Sequence, residues 1–373
     1  MLFWFTALTT VASASRAKPL FDKPKLIVLI VVDQLRSDQL TQNMALFKKG
    51  GFKKLMEEGS YIPFAEYPLL QNLTCPGHAL IVSGSTPAHN KIPLNEWFSF
   101  SEKKVIPCTF DPQHGHSPKN FLGSTIGDEL RLNNSKAKVV SLALKDRSAI
   151  MLGGHSALAA YWFHVDKNLW VTSSYYQNVP LHLREVRRPM IPEKNTELPF
   201  EPQQLRKALP KKAFDASKSF NRTLKWGTKD GLSHPIAGKA VFDFAEFLIE
   251  QYELGTDEVT DFLALSLSNH DYGGHLFGPH APETLEILLN EDEQLAGFLK
   301  GLKKRIGEKS FWVILTADHG VAPLVETALT VQIPAGRIDL KSAINVVEDQ
   351  LKKKLALSRK LDPFNTDAYL FKS

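Results

Sequence analysis

Four short runs along the chain are apolar almost without interruption: Lys25–Val32, Ala137–Leu144, Asp261–Ser268 and Phe311–Ala317. Each has the length of a strand, is rich in aliphatic and β-branched residues, and lacks the alternation of a half-exposed sheet. Continuous apolar strands are what a parallel sheet requires when helices cover both of its faces. Between these runs the pattern changes to a helical period. Met44–Gly59, Ala240–Gly255 and Pro282–Gly307 read as helices, and each ends in Gly. The last opens with Pro and is acidic early and basic late, the polarity a helix dipole favours. The alternation predicts an α/β fold, a mostly parallel sheet with helices on both faces.

Residues 161–235 break this rhythm. The stretch is rich in Pro, Lys, Asn and Ser and contains WFHVDKNLWVTSSYY. It reads as an insertion or cap on a core formed by residues 22–160 and 236–373. His155 and the aromatics Tyr161, Trp162 and Phe163 belong to the wall of that cap, the aromatics as packing rather than as a stacking surface for substrate. Near the end, SAINVVEDQLKKKLA reads as a helix and NTDAYLFKS as a strand without a partner, leaving a sheet edge open.

Composition adds limits. Of 373 residues, 43% are hydrophobic and 23% charged, which suits a core-forming domain and excludes a disordered or fibrous chain. The net charge of +5 is spread out. Lysine runs at 48–54 and 303–309 read as solvated helix faces, and no nucleic-acid partner is indicated. At the N-terminus an apolar run precedes Ala12-Ser13-Ala14, so residues 1–15 read as a signal peptide, although no Lys or Arg precedes the run. No segment is long enough for a stable membrane span. The expected setting is export, periplasmic or secreted. The two cysteines, Cys75 and Cys108, permit one disulfide or two buried thiols.

The chemistry lies just beyond the apolar runs. The first runs into Asp33, the third into Asn269-His270-Asp271-Tyr272-Gly273-Gly274-His275, and the fourth into Asp318-His319-Gly320. Parallel strands deliver their carboxyl ends to one edge. One such Asp is an ordinary helix cap, whereas three strand ends, two of them with His, point to a cation site. Carboxylate and imidazole without thiolate suit Zn2+, and the set is too large for one tetrahedral ion, so two Zn2+ are expected. Thr74, in NLTCPGHALIVSG, stands before a Pro-started helix. It is either an N-cap or a nucleophile beside an anion site at a helix N-terminus.

Taken together, VVDQLRSD, LTCPGHALIVSGSTPAHNKIPLNEWF, LALKDRSAIMLGGHSALAAYWF, LSNHDYGGHLFGP and LTADHG resemble the alkaline phosphatase superfamily. More narrowly, they are similar to its type I phosphodiesterase and nucleotide pyrophosphatase branch, which includes single-Thr, Zn-dependent bacterial alkaline phosphatases. The resemblance runs from Lys25 to Val321. It implies that Asp33, Thr74, Asp318 and His319 hold one Zn2+, with Thr74 as a nucleophile that becomes phosphorylated. Asp271 and His275 would hold the second. Asn95 would contact a phosphoryl oxygen, and Lys145 and Arg147 would mark a phosphomonoesterase. A monoester dianion presents an extra charged oxygen, which an ammonium and a fork-shaped guanidinium can meet.

The implied substrate is a small phosphate ester. The alternatives are a phosphodiesterase on the same core and an inactive fragment. In the family the second Zn2+ takes a further His from late in the chain, and no His follows His319. The chain is therefore expected to be C-terminally truncated, with His270 and His280 as the nearby substitutes. His78 is expected to pack at the helix start, and His114 and His116 to lie in an exposed turn.

Overall fold

The computed structural model describes residues 23–209, 220, 222–337, 339–355, 362–364 and 367–369. The signal-peptide assignment lies outside these residues. All four apolar runs become strands of one seven-stranded sheet. In chain order its strands are β1 (Leu26–Val32), β2 (Val139–Ala143), β3 (Ala159–His164), β4 (Leu169–Thr172), β5 (Glu185–Val186), β6 (Asp261–Leu267) and β7 (Phe311–Thr316). Their order across the sheet is β7-β1-β6-β2-β3-β4-β5. Neighbours from β7 through β3 run parallel, and β4 and β5 turn back antiparallel. Every residue of β2 and β6 is buried, which is why these strands are apolar on both faces.

Helices supply the cover. Helices α1 (Thr74–Ser83) and α2 (Asp146–Gly153) pack together. So do α3 (Pro235–Gln251) and α5 (Pro282–Ile306), while α4 (Ser268–Phe277) follows β6 directly. The long helix keeps the punctuation read from its sequence: Pro282 in the first turn, Lys303, Lys304 and Arg305 in the last, and Gly307 at φ 89° beyond it. The helix expected over 44–59 divides into a 3-10 turn, Met44–Leu46, and a helix, Phe52–Glu58. Asp292 on α5 explains the break. Its carboxylate accepts the backbone N–H groups of Lys48 and Phe52, and a Cβ on Gly51 would lie 2.2 Å from its Oδ1.

The 161–235 stretch joins the core through the sheet. Its first part forms most of β3, then β4 and β5. Its later part holds a small sheet, Glu197–Pro199 with Thr223–Lys225, and a short helix, Gln203–Ala208, whose first N–H groups meet Glu286 of α5. Tyr161 and Phe163 are buried, and Trp170 stacks on Phe244 of α3 at 4.5 Å. Asp367–Tyr369, within the NTDAYLFKS segment expected as a strand without a partner, pairs with Asp362–Phe364 as a separate hairpin. Among the described residues, β7 is one edge of the central sheet, and its Trp312 and Ile314 are exposed.

Candidate active site

Because β7, β1, β6 and β2 are parallel neighbours, their carboxyl ends meet along one edge. Asp33 follows β1, Lys145 and Arg147 follow β2, Asp271 and His275 lie on α4 after β6, and Asp318 and His319 follow β7. Side-chain donors of Asp33, Asp271 and His319 fall within 4.8 Å of one another. His319 Nε2 is 3.5 Å from both Asp33 Oδ1 and Asp318 Oδ2. His275 Nε2 is 3.2 Å from Asp271 Oδ1. Asp271 and His275 are one helical turn apart and share a face of α4.

Thr74 is the first residue of α1, and the capping residue is Leu73. Its hydroxyl therefore makes no cap and faces the cluster, 3.4 Å from Lys145 Nζ. The Lys145 ammonium donates to Asp33 Oδ2 at 2.6 Å and to Asp271 Oδ2 at 2.5 Å. A cavity of about 460 Å3 opens above, lined by Thr74, Asn95, Arg147, Asp271, His275 and His319 among others. Among the described residues, no Phe, Tyr or Trp lines it.

Charge is the main feature of this site. Asp33, Asp318 and Asp271 are all buried. Burial, then the charge of Asp318, pushes the Asp33 carboxyl up to about 6 against the pull of Lys145. Burial also opposes ionisation of Asp271 and Asp318. For Asp271 that effect is outweighed chiefly by Lys145 and His275, and for Asp318 chiefly by His78 and His319, so both stay below the ordinary carboxylate range. Burial lowers Lys145, but Asp33 and Asp271 more than restore it. Asp33 Oδ1 and Asp318 Oδ2 are buried without a hydrogen bond. Buried carboxylate oxygens that face imidazoles, with no thiolate, fit divalent cations of the Zn2+ type.

Residues 27–356 match the type I phosphodiesterase / nucleotide pyrophosphatase family. The chain belongs to this family. Among curated members, it is 35% identical over 353 residues to alkaline phosphatase PhoV of Synechococcus elongatus, covering 86% of this chain and 63% of the relative. It is 30% identical to alkaline phosphatase PafA of Elizabethkingia meningoseptica, covering 89% and 66%. The chain thus spans about two thirds of the length of these relatives. The crystal structure of wild-type alkaline phosphatase PafA superposes with a TM-score of 0.77 at 28% identity, covering 95% of this chain and 73% of the other.

Within this family framework, several histidines are placed away from the cavity. His78 is buried with Nδ1 2.8 Å from the Thr74 carbonyl and 3.1 Å from Asp318 Oδ2, while Nε2 meets Ser266. His270 faces α5, with Nδ1 3.0 Å from Glu291 and Nε2 3.2 Å from Gln39, so it does not supplement Asp271 and His275. His280 is exposed and does not line the cavity. The His114–His116 segment, expected as an exposed turn, forms a small ladder with 110–111, and His116 Nδ1 contacts Thr109 and Asp146. His155 stacks on Phe121.

Sequence reasoning missed Gln34. Its φ of 72° is unusual for a residue with a side chain. In that conformation its N–H reaches Asp318 Oδ1 and its amide reaches Asp271 Oδ1, tying two strand ends together. A Cβ on Gly274 would lie 1.8 Å from Gln34 Oε1, which explains the second glycine of DYGGH. The cysteines pair as Cys75–Cys108.

Proposed function

We propose that this chain carries the catalytic core of a Zn-dependent phosphomonoesterase that works through a phospho-threonine. The observation that carries this reading is the position of the Thr74 hydroxyl, uncapped at the head of α1, beside Lys145 and on a cavity wall shared with Asn95 and Arg147. Asp33, Thr74, Asp318 and His319 would hold one Zn2+, and Asp271 and His275 the other. Bound there, the metals would neutralise phosphoryl charge and lower the pKa of a coordinated hydroxyl.

The chain's own residues do the rest. The Thr74 hydroxyl gives up its proton to solvent and its oxygen attacks phosphorus as the ester P–O bond breaks, and the leaving alkoxide takes up a proton from solvent to depart as the alcohol. Water then cleaves the Thr74–phosphorus bond, returning phosphate and the hydroxyl. Lys145 and Arg147 bring positive charge to the dianion, and Asn95 directs an amide at a phosphoryl oxygen. A diester lacks that extra charged oxygen. Among the described residues, the cavity also offers no Phe, Tyr or Trp for a nucleobase to stack on, its rings being the imidazoles of His275 and His319 that the reading gives to the metals, which favours small monoesters over nucleotide diesters. The disulfide agrees with export to an oxidising compartment, periplasmic or extracellular. Among the described residues, no helix is long and apolar enough to cross a membrane.

The test is specificity. Changing Lys145 and Arg147 to Ala should lower hydrolysis of an aryl phosphate roughly 10²-fold while sparing its methyl diester. Equal losses on both substrates would favour the diesterase.

A further inference from the structure

Asn95 sits where two chain segments cross. Its side-chain Oδ1 accepts the N–H of Cys75 at 2.8 Å, and its backbone carbonyl accepts the N–H of Cys108 at 2.8 Å. Cys75 is the second residue of α1, directly after Thr74. Cys108 follows the second strand of a hairpin, Glu96–Ser99 with Lys104–Pro107, whose first strand begins just after Asn95. Among the described residues this hairpin forms its own two-stranded sheet, separate from the central one. Cys75 and Cys108 are both fully buried, and their disulfide closes the base of the hairpin onto α1.

The hydrogen bond also fixes the sense of the amide. Cys75 N–H is a donor, so the oxygen of Asn95 must face it, leaving both Nδ2 protons for other partners. Asn95 is a cavity-lining residue together with Thr74 and Arg147. A donor-only NH2 there complements an anionic phosphoryl oxygen. A flipped amide would set N–H against N–H and offer the anion a repulsive oxygen.

We infer that the Cys75–Cys108 disulfide is a positioning element of the reaction site, holding Asn95 in register with Thr74 so that its amide presents donors to the phosphoryl group. This rests on the phospho-threonine reading above. The crosslink acts through Asn95 and touches no substrate itself. Removing it leaves the hairpin base free to shift relative to α1, and an ångström of drift is enough to lose a charge-assisted hydrogen bond.

The test is a double-mutant cycle on the full chain, reading kcat/KM on an aryl phosphate and inorganic phosphate affinity by calorimetry. Asn95→Ala should cost roughly 10²-fold in kcat/KM. Cys75→Ala with Cys108→Ala should cost roughly tenfold on its own, and about threefold or less once Asn95 is already Ala. Phosphate affinity should show the same non-additivity. Selective reduction with a phosphine, checked for retained fold by near-ultraviolet circular dichroism, makes the comparison without mutation. Independent, multiplying losses would overturn the positioning role while leaving the phosphatase reading intact. Loss of the whole fold in both the reduced and the Ala-substituted protein would also overturn it, making the bridge a stability element. Neither turnover nor phosphate binding by the unaltered chain would remove the phosphatase reading and this inference with it.

Discussion

At the scale of single residues, two positions carry the sharpest expectations. Thr74 is buried at the head of α1 but caps nothing, because Leu73 occupies the capping position. Thr74→Ala should therefore avoid the ~1 kcal/mol penalty of a lost N-cap. It should still reduce monoester turnover by at least roughly 10³-fold. Denaturant unfolding beside steady-state kinetics checks both parts, and near-normal turnover would remove Thr74 from its role. Gln34 is the second. Its left-handed backbone and its fit against Gly274 are costs accepted where Asp271 and Asp318 must be bridged. Gly274→Ala should destabilise the fold by about 1–3 kcal/mol through overpacking. Adding Gln34→Gly should recover stability but not activity, since the bridge between the two carboxylates is then gone. Recovery of both would show that Gln34 only fills space.

At the scale of elements, α3 provides a titration that the active site does not confuse. His234 caps it, with Nδ1 accepting the N–H of Ile236 and Nε2 3.3 Å from the Pro199 carbonyl. The pairing requires the neutral ring protonated on Nε2. Burial lowers the His234 pKa below 6.5, and the bond to Pro199 only partly offsets this. The folded state thus binds fewer protons than the unfolded chain. Stability from this group is fully present above the unfolded value and is lost as pH falls from about 6.5 through the lowered value. His234→Asn keeps a capping side chain without the titration, so its stability should vary less than that of the parent over that window. Urea midpoints at several pH values decide it, and parallel curves would exclude His234 as the source. The elements also show what a pattern can carry. Helix α5 follows its sequence punctuation closely, whereas the helix expected over 44–59 yields to Asp292, a partner more than two hundred residues away.

At the scale of the molecule, the donor count governs metal loading. In the proposed assignment Asp33, Thr74, Asp318 and His319 would form a full tetrahedral set, but among the described residues only Asp271 and His275 would serve the second position, because His270 is engaged by Glu291 and Gln39. A catalytic Zn2+ normally has three protein ligands. The 373-residue chain should accordingly hold about one Zn2+ tightly, with slow turnover, as measured by metal analysis after dialysis. Two tightly held Zn2+ with robust activity would mean that a third ligand reaches Asp271 and His275 from within the chain.

The sheet and the site's carboxylates were legible because they depend on local pattern. Apolar runs must be buried on both faces, and parallel strands must end on one edge, so Asp33, Asp271 and Asp318 share that edge, while the adjacency of β7, β1 and β6 brings them together. The identity of a residue does not reveal which way it faces. Asp271 and His275 share one face of α4, while His270, about 100° around the helix, turns to Glu291. The Cys75–Cys108 bridge, the left-handed turn at Gln34 and the sense of the Asn95 amide were decided only by tertiary structure. Each is a contact between segments distant in sequence, where packing and hydrogen-bond partners outweigh local preference.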